Sequence, residues 1–583
     1  MGMSVSLGAS NGTGTLRAAL NQRMESEKTL PATLRFTVYD TGSQITTADF
    51  ADTPPTIKAD HTAPADAIQY CIANLTSGRT AYESIHVVVP DASLDAKLTI
   101  TDDWTEIDFC GELMSAPSGL NTYFVYAEGV DHIRIKGANF DHAYNLVTAK
   151  SGGGGIQFER CNHIYVGDCY VDNAFQESFE VKTCSNVYFE NCTGDDFGDD
   201  AFSILDSNHV LTKNCTASNA RGQSPFGSGC FEWEDGSHHC VSEDCTSDTS
   251  ADEGIHVIVD GNKSEVIISG ITEPDPSGSP GVYRAATSGV ASYSIGKDIQ
   301  IYSTTSGEQD GVWEITNVDF SGGTWVDFDM GAANTGLVGT DSNFLNFTHG
   351  APHDIYIYNH TLRAITGAAV SLTSLGTVYN LVDATIAGLK APVYNVFIDG
   401  LNIRSCTAEA LVISYGEDIV IRNMDAVGLP ATQEHGVNAS SSNNIKFYDS
   451  NIRHYGNYGI RCYQVTNAEF YRTQTNDNAE HASTTSGYGF YLDADLWDYT
   501  LQTRTNSSTQ DAGFVLTDCE GYKTTNWAGN GDYKSGIRIQ DAASSVVTNC
   551  TITEFSGSEV IDYAGGTTAG NTTLTNVVSF TNA

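Results

Sequence analysis

The chain has 583 residues, of which 72 are Asp or Glu and 29 are Lys or Arg, so its formal net charge is −43. This charge argues against binding to nucleic acid or to an anionic membrane surface, since both are polyanions. Hydrophobic residues make up 40% of the chain and only 13 residues are proline, which is typical of a packed core and not of a disordered chain. The sequence predicts no membrane span, and its first 20 residues lack the basic start and apolar run of a signal peptide.

The N-terminal part of the sequence predicts an arm followed by a helix. Residues 1–60 show no repeat and are predicted to form a separate N-terminal arm. The segment TAPADAIQYCIANL places Ile68, Cys71 and Ile72 at helical spacing, which predicts a helix within residues 61–84. Such a helix would cap strand edges that are otherwise exposed at the start of the repeat that follows.

A repeat with a period of 23 residues follows this helix. The segment IQFERCNHIYVGDCYVDNAFQES (156–178) aligns with FEVKTCSNVYFENCTGDDFGDDA (179–201), and Cys169, Cys192 and Cys215 recur at the same interval. Each unit holds two or three short strands with period-2 alternation, separated by Asn, Asp, Ser and Gly. This pattern predicts a parallel β-solenoid, in which the recurring cysteine is a small buried side chain. Reduced cysteines are favoured over disulfides on this interpretation.

The repeat is interrupted once. It runs over residues 85–262 and resumes over residues 350–583, where segments such as NVFIDGLNIRSC and NIKFYDSNI show the same alternation. Between them, residues 263–349 predict antiparallel strands with Gly-rich hairpins, and we interpret this part as an inserted β module.

The stretch CTGDDFGDDAFSI (192–204) holds four aspartates, Asp195, Asp196, Asp199 and Asp200, within six positions. Like charges at this spacing repel one another. Exposure to water, a bound cation, or a reaction that uses a carboxylate would account for the four aspartates. Aspartates in turns often bind the local backbone, which is the structural explanation for each one singly. A Ca²⁺ site formed by Asp195, Asp196 and Asp199 is an alternative, because Ca²⁺ prefers hard oxygen ligands.

The alternation along residues 179–182 directs Phe179 and Val181 inward and the residues between and after them outward. The repeat then predicts two outward columns, one with Gln157, Glu180, Ser203, Glu232 and His256, and one with Glu159, Lys182, Leu205, Glu234 and Ile258. Stacked strands lie about 4.8 Å apart, so carboxylates one or two rungs apart are about 5–10 Å apart. Glycosidases place their two carboxyl groups at such distances.

The stretch GDDAFSI (198–204), followed by SNHVLTKNC, resembles the polygalacturonase segment that carries a paired-Asp catalytic motif, with Asp199 and Asp200 at the pair. More broadly, residues 175–261 resemble the right-handed β-helix superfamily of pectate lyases, polygalacturonases and phage tailspikes. The polygalacturonase His and Arg-Ile-Lys elements are absent, since GSGCFEW and HVIVD stand in their places. The resemblance implies an all-β fold: a right-handed parallel β-helix with an inserted small β module, an N-terminal arm and a capping helix.

Four features favour a phage tailspike within this superfamily: no signal peptide, a non-repeating arm, a capping helix and buried cysteines. The resemblance implies a homotrimer in the virion tail that binds a bacterial surface polysaccharide. Residues 1–60 would attach it to the tail or baseplate. The protein would be made in the bacterial host cytoplasm, with no nucleic acid partner and no membrane insertion. A secreted protein is the alternative location.

The predicted function is cleavage of that polysaccharide by carboxylate-mediated glycosidic hydrolysis. Asp199 is the first choice for the proton donor, by the local resemblance. Asp200, Asp196 and Glu177 compete for the role of the base that activates water, and Glu232 reaches the same edge from the next rung. The alternatives are a non-catalytic receptor-binding spike or adhesin, and a polysaccharide lyase on the same fold.

Three outward residues, Glu180, Glu234 and His256, are predicted to bind substrate. No metal is assigned, and Ca²⁺ is the one cofactor that the sequence leaves open. The acidic surface and the few Lys and Arg residues disfavour a uronate-rich substrate. Four tyrosines are candidate platforms for sugar stacking, although tyrosine is common in strands anyway: Tyr358, Tyr448, Tyr455 and Tyr458.

Overall fold

The fold comes from a computed structural model. It describes residues 12–42, 44–52, 55–115, 122–142, 153–221, 229–234, 236–258, 351–373, 393–429, 435–476, 513–522 and 544–553, and single strands within 265–347 and 488–580. Most of these residues form short strands that wind into a parallel β-helix, so the predicted fold class is confirmed.

The β-helix has three parallel sheets, and each rung adds one strand to each sheet. Sheet A contains Tyr82–Val88, Thr105–Asp108, Asp131–Lys136, Asn162–Gly167, Ser185–Glu190, Asn208–Lys213, His238–Glu243, His353–Tyr358, Val393–Asp399, Gly416–Arg422, Asn443–Tyr448, Thr466–Tyr471, Gly513–Thr517, Ser544–Thr548 and Thr572–Thr575. Sheet B contains Ala92–Ser93, Leu113–Ser115, Asn139–Asp141, Tyr170–Asp172, Thr193–Asp195, Thr216–Ala220, Thr246–Ser250, Thr361–Ile365, Asn402–Cys406, Asp425–Gly428, Asn451–Arg453, Gln474–Asn476, Glu520–Tyr522, Thr551–Thr553 and Val578–Phe580. Sheet C contains Leu98–Ile100, Val125–Glu128, Ile156–Glu159, Phe179–Lys182, Phe202–Leu205, Phe231–Glu234, Ile255–Ile258, Val370–Thr373, Leu411–Ser414, His435–Ser440, Tyr458–Tyr463, Tyr488–Asp493, Ser535–Gln540 and Ile561–Ala564.

Side chains stack in columns because the strands of each sheet pair in register. The rings of Phe179, Phe202 and Phe231 stack in the core with centroids 4.9 Å apart from one rung to the next. A second buried column holds Cys169, Cys192, Cys215 and Cys245. The prediction that the first three of these cysteines share one inward column is confirmed.

The described part of residues 1–60 packs on the β-helix, whereas the sequence predicted a separate arm. Helix α1 (Gly12–Thr29) lies across the outer face of sheet A, with Leu16, Leu20 and Met24 buried. They pack against outward side chains of sheet A, among them Tyr165. The outward column of sheet A is apolar at these rungs, so it needs a cover to exclude water. The role of this region in virion attachment stays a prediction.

Polar contacts hold α1 on the sheet. Lys28 Nζ lies 2.6 Å from a carboxylate oxygen of Glu190, and Arg17 forms an ion pair with Glu243. The chain then adds Ala32–Asp40 in parallel to the first strand of sheet A. The antiparallel strands Ile45–Asp49 and Thr56–His61 extend from it.

Helix α2 (Pro64–Ala73) covers the first end of the core. Its side chains of Ile68 and Cys71 are fully buried. Gln69 lies beside the first strand of sheet C, donating from Nε2 to the Thr99 carbonyl (3.0 Å) and accepting from the Thr99 N–H at Oε1 (2.9 Å). One amide side chain therefore satisfies both backbone groups of Thr99, in the way that a further strand would. Neither α1 nor α2 is long and apolar enough to cross a membrane.

The solenoid continues across the insertion without loss of register. Ile255–Ile258 pairs directly with Val370–Thr373, and His238–Glu243 pairs with His353–Tyr358. As predicted, the strands between them are antiparallel, and they close into a barrel. The barrel strands are Glu265–Thr272, Val282–Thr287, Asp298–Tyr302, Gly311–Val318, Trp325–Asp329 and Phe344–Phe347. A separate antiparallel pair is formed by Leu496–Asp498 and Thr503–Thr505.

The packing of α1 gives a testable prediction. Leu20→Ala removes a fully buried side chain and should weaken the attachment of α1 by about 2–5 kcal/mol, because it leaves a cavity against sheet A. The control is Gln22→Ala at an exposed position of the same helix. Native-state hydrogen exchange should show faster exchange over Gly12–Thr29 in the first variant only. Equal protection in both variants would contradict the packing described here.

Candidate active site

Successive rungs of sheet C bring ionisable residues to one place. The second residue before each sheet C strand forms a column, which we call the entry column. The loops of this column are joined by backbone hydrogen bonds, for example from the Ser178 N–H to the Asp200 carbonyl at 2.9 Å. From Val125–Glu128 to Ile255–Ile258, its members are Tyr123, Gly154, Glu177, Asp200, Gly229 and Glu253.

Asp200 is a deeply buried acid of this column, with 3% of its surface exposed. Its Oδ1 accepts a hydrogen bond of 2.7 Å from the Gly229 N–H. Burial raises the pKa of Asp200 well above its usual value, and the carboxylates of Glu232 and Asp199 raise it further. The raised pKa favours the protonated form of Asp200, which can donate a proton.

Glu232 lies beside Asp200 in the outward column of sheet C. His256 Nδ1 lies 3.1 Å from Oε1 of Glu232. Burial lowers the pKa of His256, but the carboxylates of Glu232 and Glu253 outweigh burial, so the net pKa lies above its usual value. The imidazolium therefore faces Glu232 and favours its ionised form. The arrangement places a neutral acid next to an ionised one, which is the division that acid and base roles require.

Gly229 approaches these three residues closely. A Cβ atom at this position would lie 3.3 Å from Oδ1 of Asp200, 3.5 Å from Cβ of His256 and 3.6 Å from Cβ of Glu232. The absence of a side chain lets the backbone of this rung come close enough for the hydrogen bond from the Gly229 N–H to Asp200.

A second cluster of carboxylates, formed by Glu177 and Glu180, lies one rung before Asp200. Glu180, which is 1% exposed, accepts hydrogen bonds from Tyr123 Oη (2.5 Å) and Gln157 Nε2 (2.6 Å), and it pairs with Lys182. Tyr123 Oη also contacts Glu177. One hydroxyl proton cannot serve both carboxylates. Burial, with the charge of Glu180, raises the pKa of Glu177 to about 7, so below that pH Glu177 supplies the second proton.

Three carboxylates could share a cation at the same place. One oxygen of each of Asp200, Glu232 and Glu234 lies within 4.8 Å of the other two, and this is the one such group among the residues whose side chains are described. Ca²⁺ favours hard oxygen donors of this kind. The Ca²⁺ ion that the sequence leaves open would therefore fit here better than in the DDFGDD turn. A proton on Asp200 or a bound cation would relieve the same repulsion.

The other aspartates of the DDFGDD turn are dispersed. Asp195 accepts three hydrogen bonds from neighbouring side chains of sheet B. Asp196 pairs with Arg221 and lines a pocket of about 540 Å³ at the edge of sheet B, apart from Asp200 and Glu232. Asp199 is half-buried and acts on the site through its charge, which helps to raise the pKa of Asp200. The structure thus favours Asp200 over Asp199 as the proton donor.

Two residues of the site, Tyr123 and Glu253, were not among the candidates from the sequence. Both occupy the entry column, so the register of the repeat carried a signal for them. Gly154 is part of the same signal, because a Cβ atom there would lie 2.2 Å from the Tyr123 ring. The missing side chain allows Tyr123 to cross a rung and reach Glu177.

Comparison with known families identifies the fold. The family described as "Right handed beta helix region" matches residues 115–270 and 389–576, together more than half of the chain. No curated protein sequence matches the chain.

Solved structures with a similar backbone include two kinds of polysaccharide-related protein. The A-module of the mannuronan C-5 epimerase AlgE6 of Azotobacter vinelandii has 10% identity and a TM-score of 0.39, over 89% of this chain and 95% of that chain. A mutant tailspike protein of E. coli bacteriophage HK620, in complex with a pentasaccharide, has 11% identity and a TM-score of 0.44, over 89% of this chain and 76% of that chain. At these values the likeness concerns the course of the backbone alone.

The entry column predicts a pH dependence of stability. Burial raises the pKa of Glu253 to about 8, against about 4.3 in an unfolded chain. A raised acid pKa costs stability as the pH rises from the unfolded pKa to the folded pKa, because over that range the unfolded state has lost the proton that the folded state still holds. Glu253→Gln stays neutral, so its gain in free energy of unfolding over the wild type should be small at pH 5 and larger at pH 9, by about 1–3 kcal/mol.

Urea unfolding at the two pH values measures this difference. The matched control is Asp95→Asn, a carboxylate at an exposed position, which should show no such dependence. If the free energy of unfolding of Glu253→Gln differs from that of the wild type by the same amount at pH 5 and pH 9, the raised pKa is contradicted.

Proposed function

Because the chain belongs to the right-handed β-helix family, we propose that it is a polysaccharide depolymerase of the phage-tailspike type. The observation that carries this proposal is the buried Asp200, whose pKa is raised, directly beside Glu232, whose carboxylate faces His256. Glycoside hydrolysis needs one carboxylic acid and one carboxylate at a glycosidic bond. A long sheet with in-register outward columns also suits an extended chain as ligand.

The two carboxyl groups would take separate roles. Asp200 donates its proton to the glycosidic oxygen as the bond from the anomeric carbon breaks. Glu232 faces the anomeric carbon and forms a bond to it, or stabilises its positive charge, while His256 holds the Glu232 carboxylate in place. Water then adds its hydroxide to the anomeric carbon, any bond from that carbon to Glu232 breaks so that the carboxylate is restored, and the remaining proton returns to Asp200.

The spacing of the two groups bears on stereochemistry. Oxygens of Asp200 and Glu232 lie within 4.8 Å. Inverting enzymes separate their carboxyl groups by about 6.5–9.5 Å to hold a water, and retaining enzymes by about 5–5.5 Å. The pair is shorter than the inverting separation and nearer to the retaining one, so we expect retention of the anomeric configuration, which NMR of the first-formed product measures.

The proposal includes the assembly expected from the sequence. The chain would form a homotrimer attached to the phage tail or baseplate through its N-terminal region, with a bacterial surface polysaccharide as partner. Light scattering of the full chain measures the assembly, and a stable monomer would count against it.

Substitution of the two carboxyl groups tests the chemistry. Asp200→Asn and Glu232→Gln should each lower the release of reducing ends by about 10²–10⁴-fold, because the first removes the proton donor and the second removes the carboxylate that faces the anomeric carbon. The substrates are purified capsular and O-antigen polysaccharides from a panel of bacteria. Chelation by EDTA should leave the rate unchanged if a proton, and not Ca²⁺, relieves the repulsion at Asp200.

Two further variants serve as comparison. Asp199→Asn should keep most of the activity, because burial and Glu232 raise the pKa of Asp200 more than Asp199 does. Asp244→Asn, in an exposed turn on another face, controls for loss of a surface aspartate. Products that absorb in the ultraviolet because they are unsaturated, and that have not incorporated water, would indicate a lyase. Binding without any product would indicate a receptor-binding spike.

A further inference from the structure

The outward column of sheet C that holds Glu232 and His256 changes its chemistry after the insertion. Acidic residues and His256 occupy the rungs just before the insertion, and two arginines and a tyrosine occupy later rungs, followed by Asp562 on the rung after Arg538. Strand pairing extends the column from His256 through Ser371, Val412, Asn438, Arg461, Tyr491 and Arg538.

Tyrosines around Arg538 form one aromatic group. The rings of Tyr458 and Tyr488 stack with centroids 5.6 Å apart, and Tyr491 lies 5.4 Å from Tyr458. Arg538 Nη1 donates to Tyr488 Oη at 2.7 Å, and the guanidinium lies 5.5 Å from the ring of Tyr491. Tyr488 is buried beneath the group, whereas the other three side chains are half-buried. The result is a fixed and partly exposed platform with a positive charge.

Arg461 stands one rung before Tyr491. Its guanidinium lies 5.4 Å from the ring of Tyr463, and Nη1 lies 3.4 Å from His435 Nε2. Within the described part of the chain, the contacts of Arg461 are with these neutral groups and not with a carboxylate. By contrast, Arg472 on a nearby rung pairs with Asp449 at 2.5 Å. Among the side chains that the structure describes, Arg461 thus has no carboxylate partner, in a chain with a net charge of −43.

We propose that the residues Tyr458, Tyr491, Arg461 and Arg538, which we call the Tyr–Arg site, bind a negatively charged sugar of the polysaccharide. The inference rests on the proposed function and adds that its substrate is acidic. A guanidinium binds a carboxylate or a phosphate through parallel charge-assisted hydrogen bonds. The tyrosine rings offer flat amphipathic surface to the rest of the sugar.

The Tyr–Arg site lies at a distance from the cleavage point. Arg461 is four rungs and Arg538 six rungs from His256 along the column, or roughly 19–29 Å at the usual strand spacing. An acidic sugar would be repelled by the carboxylates of the active site and attracted here. The bound polymer would therefore place a neutral sugar at Asp200 and its charged sugar several units away.

Affinity electrophoresis with the panel of purified bacterial polysaccharides, acidic and neutral, tests the site. The migration of the wild-type protein through the gel should be slowed by acidic polymers only. Arg461→Gln and Arg538→Gln should each weaken the retardation about tenfold or more, since each loses a charge-assisted contact. Arg472→Gln is the matched control and should bind as the wild type does. Asp200→Asn should also bind fully, which separates binding from cleavage.

The polymer that binds identifies the anion. Reduction of its carboxylates to alcohols should abolish retardation if the sugar is a uronate or carries another carboxylate, and removal of phosphate should do so if it is a phosphosugar. Arg461→Lys keeps the charge without the planar fork, so it should bind between the wild type and Arg461→Gln. Circular dichroism and thermal melting check that Arg538→Gln is folded. If Arg538→Gln is unfolded, the binding of Arg461→Gln alone tests the proposal.

The outcomes are distinct. Binding or cleavage of neutral polymers by the wild type, or undiminished binding by the Arg461→Gln and Arg538→Gln double variant, overturns the acidic-sugar site and leaves the proposed function standing. Failure of the folded wild type to bind any polymer of the panel overturns the proposed function and the Tyr–Arg site with it.

Discussion

In-register parallel pairing of the strands fixes the place of each side chain in the β-helix. A residue that recurs at one position of the repeat stands about 4.8 Å from its equivalents on the next rungs. In the core this spacing allows identical rings to stack, as Phe179, Phe202 and Phe231 do. On the outside the same rule forces ionisable residues into contact, whatever their charge. The active site is a direct consequence, because its acids are neighbours only through the register.

Two devices relieve the repulsion that this stacking creates. Protonation is one, because burial raises the pKa values of Asp200 and Glu253 and so favours their neutral forms. A neighbouring base is the second, as His256 provides for Glu232. The site is thus costly for stability and useful for chemistry, since an acid kept neutral by its surroundings is ready to donate its proton.

Much of this could be predicted from the sequence, because the period of 23 residues carries the register. The columns of Cys169 and of Glu180 followed from it directly. Glu253 was missed because the sequence pattern marks the outward positions within strands, such as His256, and not the turn that precedes each strand. Tyr123 was missed because its partners Glu177 and Glu180 lie more than 50 positions away. No local pattern reports burial either: Tyr455, a candidate surface platform, is fully buried, and Tyr358 packs near α1.

The Tyr–Arg site shows why the net charge of the whole chain is a weak guide to the charge of one local surface. The net charge of −43 disfavoured an acidic substrate, yet charge acts over roughly 8–10 Å at physiological salt. Arg461 is about 19 Å along its column from His256, which is beyond that range. The acidic and basic parts of one sheet can therefore act independently on a polymer that is long enough to touch both. A ligand of a few atoms would sense only one of them, so the length of the sheet, and not its average charge, sets which substrates the surface can distinguish.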